Sequence, residues 1–128
     1  MELSLMLSCP DGAASCLLKL REVLDCVERP GEAWPSVEQW ERLLPTWFVA
    51  ACAMPETEGQ SENTKPWSLA DWLYWMEPDQ SVWRWARATQ HGSAVLEVVL
   101  SVEGMPVALG AFMWLARAAG AETVTYDS

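Results

Sequence analysis

His91 is the only histidine of the chain, and it stands beside Gly92 between two stretches of strand-forming residues. Imidazole moves protons near neutral pH, but catalysis asks for a nucleophile and an orienting acid beside it. Spacing marks neither such a set nor a glycine-rich phosphate loop, so His91 reads as a surface residue at a turn tip. Carboxylates come together at Asp71, Glu77 and Asp79, residue types that serve acid–base chemistry or a weak metal site. At the ends of a short helical pattern, however, such acids are first of all caps and solvated surface. Cys9, Cys16, Cys26 and Cys52 form no C-x-x-C pair, and a single histidine does not complete a zinc set with them. The thiols are read as reduced and mostly buried. This inventory predicts a protein that is not an enzyme and holds no metal or cofactor.

Tryptophan and charge set the chain apart. "WSLADWLYWMEPDQSVWRW", residues 67 to 85, holds five of the nine tryptophans. Asp and Glu number 18 against 8 Lys and Arg, a formal net charge of −10. That field repels phosphate backbones and argues against nucleic acid as a direct partner. It attracts a basic protein and speeds the encounter at low salt. Half of the 128 residues are apolar and a fifth charged, which suits one globular domain over 1–128. No window is apolar enough to span a membrane, and "LMLSC" makes a poor lipoprotein box because Glu2 replaces a basic residue and the apolar run is short. A cytoplasmic protein without a membrane partner is expected.

The elements follow from periodicity. Leu3, Leu5 and Leu7 alternate with Ser4, Met6 and Ser8 as in a strand. Ala13, Leu17, Leu20, Leu24 and Val27 recur at helical steps, and Pro30-Gly31 closes that helix. A second helix starts at Ser36 with Gln39 in the capping-box position and a stripe of Val37, Trp40, Leu44, Trp47, Ala51 and Met54. Pro45 kinks it or splits it in two. Residues 55–66, "PETEGQSENTKP", are read as a mobile acidic loop. Ser68 caps a third helix with Asp71 three residues on. "SVWRWARAT", "QHGS" and "AVLEVVLSVE" form a hairpin. With His91-Gly92 as its turn, Trp83 and Trp85 lie opposite Leu100 and Val98. Pro106 opens an apolar helix over 107–119, with Gly110 allowing close packing and Gly120 as the stop, and "AETVTYD" is a short strand. Helices segregated on a mainly antiparallel sheet with a C-terminal hairpin define an α+β class.

Most of the tryptophans have structural work within this plan. Trp67 and Trp72 are placed for a hydrophobic staple around the Ser68 cap, and Trp83 and Trp85 share the apolar face of the hairpin. Trp34, Trp67 and Trp75 are the candidates for exposure. Glu56, Glu58 and Glu62 on the long loop, with Asp71, Glu77 and Asp79 around the third helix, group acids beside those indoles. Aromatic area with acids at its rim suits recognition of a basic protein. In bulk character, centred on "PETEGQSENTKPWSLADWLYWMEPD", the chain resembles the small acidic immunity proteins that bacteria pair with secreted toxins. The resemblance implies an inhibitor that covers the active site of a cognate toxin. Two other functions fit the composition: a small-ligand or carbohydrate-binding domain using exposed tryptophans, and an accessory subunit whose apolar helix 107–119 is covered by another chain.

Overall fold

The computed structural model describes residues 1–28, 34–53, 67–77, 82–104 and 107–126. The loop 55–66, with Glu56, Glu58 and Glu62, lies outside them, as do Asp79, Met54, Pro30, Gly31 and Pro106. Chain order is β1 (Glu2–Ser8), α1 (Ala13–Glu28), α2 (Val37–Leu43), α3 (Thr46–Cys52), α4 (Leu69–Met76), β2 (Trp83–Gln90), β3 (Val95–Val102), α5 (Gly110–Ala118) and β4 (Thr123–Tyr126). The four strands form one antiparallel sheet in the order β2-β3-β1-β4. This is the expected α+β class, with β2 and β3 as its hairpin.

Alternation decides which face of the sheet is dry. Leu3, Leu5 and Leu7 of β1 and Leu96, Val98, Leu100 and Val102 of β3 are buried together, because side chains two apart on a strand share a face. Against that face lies α1 with Ala13, Cys16, Leu20, Val23 and Leu24, and α5 with Ala111, Phe112, Leu115 and Ala116. α5 also contacts α3, α4 and β4; Ala111, Phe112, Leu115 and Ala116 are buried, and Met113 and Trp114 are partly buried.

Pro45 splits the second helix into α2 and α3. The chain is extended at Leu44 and Pro45, and α3 starts in a new rotational phase. Phe48 and Cys52 therefore join Trp40 and Leu44 in the core, and Trp47 and Ala51 are only partly buried. The Ser36–Gln39 capping box forms as expected, with Ser36 Oγ accepting from Gln39 N–H and Gln39 Oε1 accepting from Ser36 N–H.

The hairpin departs from the sequence expectation. Trp83 pairs with Val102 and Trp85 with Leu100, two residues from the expected register. There are two causes. The connection is longer than a two-residue turn, because the carbonyls of Ser93 and Ala94 accept from the amides of Ala13 (2.7 Å) and Cys9 (2.6 Å) and are held away from the ladder. A bulge between Trp85 and Arg87 then lets both tryptophans face inward and turns Arg87 to the outer face, since one extra residue reverses side-chain direction. α5 begins at Gly110 rather than Val107.

Candidate binding cleft

The conventional catalytic candidates do not assemble. His91 Nε2 lies 2.8 Å from Glu97 Oε1, and Ser4 donates to the other oxygen of the same carboxylate. Serine and imidazole thus share an acid, whereas nucleophile activation requires the hydroxyl to bond the imidazole. Cys9, Cys16 and Cys52 are buried. Burial, reinforced by the neighbouring Cys9, pushes the Cys16 thiol up to about 12, and burial also raises Cys52. A thiol held protonated is a poor nucleophile and a poor metal ligand. Among the described residues no group of His, Cys, Asp and Glu is placed to hold a metal ion.

The tryptophans divide by environment. Trp40, Trp72 and Trp83 are core residues. Trp72 is fully buried, donates Nε1–H to Ala111 O at 3.0 Å and meets Phe48 edge-on with centroids 4.6 Å apart. Trp47 lies between α1 and α3, its Nε1–H 3.1 Å from Glu22 Oε1 and Lys19 Nζ 5.4 Å from its ring. Trp85 lies under the Arg21 guanidinium at 5.2 Å, and Trp34 packs on Trp40 at 5.0 Å. Trp114 of α5 is partly buried and donates Nε1–H to Cys52 Sγ at 3.5 Å, which leaves Trp67 and Trp75. Both line a cleft of about 170 Å³ together with Val82, Trp83, Ala108, Gly110 and Ala111.

Three elements hold this cleft in place. The Ser68 hydroxyl accepts from Asp71 N–H at 3.2 Å and starts α4, with Trp67 just before the cap and Trp75 in the last turn. The Trp72–Ala111 hydrogen bond ties α4 to α5. Gly110 lets the first turn of α5 approach Trp67: a Cβ there would lie 2.8 Å from Cζ2 of the indole. Trp83, set by the hairpin, packs edge-on against Phe112 at 5.4 Å. One lining residue, Ala111, is thus bonded to the core residue Trp72.

Around the mouth, apolar residues stay in water. Trp75 and Val82 are each 39% exposed and Tyr74 is 51% exposed, its ring edge-on to Trp75 at 5.6 Å. Asp71, Tyr74 and Trp75 share one exposed face of α4 by their three- and four-residue spacing, and Glu77 closes the helix. Asp71 and Glu77 form no ion pair with any described residue, unlike Glu2 with Arg87 or Asp25 with Arg21. Of the eight residues expected from sequence to form a partner surface, the structure thus brings Trp67, Asp71, Trp75 and Glu77 to one region. The other four, Glu56, Glu58, Glu62 and Asp79, lie outside the described residues.

Sequence reasoning missed Val82, Tyr74 and the participation of Trp83. Tyr74 carried a signal, because it stands three residues after Asp71 on the face opposite Trp72 and Leu73. Trp83 carried none, since its role depends on where α5 packs. No protein-family model matches the chain, and neither a curated protein nor a solved structure does.

Proposed function

We propose that this chain is a non-enzymatic protein-binding domain that docks a basic partner across α4 and the tryptophan cleft. The observation that carries the proposal is the cleft itself, with exposed Tyr74, Trp75 and Val82 around it and, on the same helix, Asp71 and Glu77, which form no ion pair with a described residue. Exposed aromatics with a pocket at their centre provide the desolvated anchor of a protein interface, and the surrounding acids provide orientation and rate. The net charge of −10 supplies long-range attraction. Within this class we favour an immunity-type inhibitor that covers the active site of a basic toxin, acting in the cytoplasm. A carbohydrate would ask for hydrogen-bonding groups, whereas the cleft walls present indole, isopropyl and methyl surface.

The test starts from a tagged pull-down out of source-organism lysate at low and high salt. The expected result is one stoichiometric basic protein, toxic when expressed alone. Its association rate with the Asp71→Lys/Glu77→Lys variant should fall by about tenfold or more at low salt and lose most of its salt dependence, with the circular dichroism unchanged. A captured partner whose association rate and affinity are the same for wild type and variant would remove α4 from the interface.

A further inference from the structure

The cleft has a size, a lining and a charge that together specify an occupant. Its roughly 170 Å³ admits one side chain, not a peptide segment. Its described lining is Trp67, Trp75 and Trp83 with Val82, Ala108, Gly110 and Ala111. Indole faces attract cations through their quadrupole, and the attraction strengthens as the cation loses water. A lysine ammonium is compact and strongly hydrated, and these walls offer it little to replace its water. A guanidinium is flat, more weakly hydrated and stacks on aromatic faces, and its three-carbon stem suits an apolar wall.

The electrostatics point the same way. Asp71 stands one helical turn before Trp75 on the exposed face of α4, and Glu77 follows at the helix end, neither engaged by a described residue. A neutral aliphatic side chain would gain from the lining alone; a cation gains from the lining, these acids and the field of the whole chain. Cations on indole rings recur within the chain, Arg21 5.2 Å from Trp85 and Lys19 5.4 Å from Trp47, so the choice of arginine rests on the weak hydration and flat shape of the guanidinium.

We infer that the tryptophan cleft is an arginine pocket, taking a single guanidinium-bearing side chain of the partner between Trp67, Trp75 and Trp83. The inference rests on the protein-binding function proposed above and deepens it by naming the anchor. It is tested without the partner, on the full chain labelled with 15N, by following the nine indole N–H resonances during titration with n-butylguanidinium and with its neutral isostere n-butylurea. Single Trp→Phe variants assign the signals. The expected result is saturable shifts of the Trp67, Trp75 and Trp83 signals, with n-butylguanidinium binding at least about threefold tighter than n-butylurea. Trp75→Ala should abolish the shifts of Trp67 and Trp83 while leaving the buried Trp72 signal in place.

Equal affinity for the two probes would overturn the inference and make the pocket one for an apolar side chain. No shift with either probe, or shifts confined to Trp47 and Trp85, would overturn it as well. The two proposals fail separately. Selective guanidinium binding with a charge-reversed α4 that still captures its partner at full rate upholds the pocket and rejects its place in that interface. A charge-sensitive interface with a pocket indifferent to guanidinium rejects the pocket alone.

Discussion

Trp72 and Trp75 stand three residues apart on α4 in opposite environments. Trp72 has no exposed surface, a hydrogen bond to Ala111 O and an edge-on contact with Phe48. Replacing it by alanine removes a large packed ring and the link between α4 and α5, which costs about 3–5 kcal/mol by the behaviour of large-to-small core changes. Trp75 is partly in water and packs on Tyr74, so Trp75→Ala should cost less than about 1 kcal/mol. Chemical denaturation of the two variants measures both. Comparable losses would place Trp75 in the core and leave the cleft without an accessible wall. The same contrast explains why tryptophan density alone says little about function: one helix turn supplies a core anchor and a partly exposed ring, and only burial separates them.

At the scale of elements, the bulge in β2 decides the direction of half a strand. Ala86 is the extra residue between Trp85 and Arg87, and it is exposed. Deleting it forces either the two tryptophans outward or Arg87 inward. Exposing a large apolar side chain costs roughly 1.5–3 kcal/mol and burying an unpaired charge more, so the deletion should destabilise by over about 3 kcal/mol. Ala86→Ser, which keeps the residue count, should stay within about 0.5 kcal/mol. A deletion as stable as the substitution would mean that the strand re-registers freely. The bulge was not legible in the sequence, because nothing local in "SVWRWARAT" requires it; the amides of Cys9 and Ala13, some eighty positions away in the chain, fix the carbonyls that set the hairpin connection. β1, α1 and the α2 cap were legible because their signals are local: alternation, helical spacing and the Ser36–Gln39 pair. The break at Pro45 was legible too, but its consequence for Phe48 and Cys52 was not, since a broken helix resets its phase by packing. For the cleft, Trp67, Trp75 and Asp71 followed from capping and spacing around Ser68. Its depth followed from Gly110 meeting the Trp67 ring, a contact between residues that only the assembled fold brings together.

The whole molecule separates its acids into those that hold the fold and those that remain available. On the outer face of the sheet, Arg87 donates to both carboxylate oxygens of Glu2 at 3.0 and 2.9 Å, bridging β2 and β1 across β3. On the same face Ser4 and His91 converge on Glu97, and Val99 is flanked by Ser4 and Arg87 and only 6% exposed. The hydrogen bonds and charge of Arg87 hold the Glu2 carboxyl below its ordinary 4.5, and hydrogen bonds from Ser4 and His91 do the same for Glu97. A carboxylate whose pKa is lower folded than unfolded stabilises the fold above its unfolded value, and that contribution disappears as pH falls through its folded value. The stability gap between wild type and Glu2→Gln/Glu97→Gln should therefore be constant from pH 7 down to the ordinary value of 4.5 and close at more acid pH. Thermal melts of both proteins across that range measure it. A gap that persists unchanged to the acid limit of folding would show that the two carboxylates stabilise through packing or geometry rather than through charge. Because Asp71 and Glu77 lie on the proposed docking face and these acids lie on the outer face of the sheet, the same double variant, whose net charge goes from −10 to −8, should lower the low-salt association rate far less than reversing Asp71 and Glu77 does. In the proposed interface the field of the whole chain sets the general attraction, and the acids beside the tryptophans set its steeper local part.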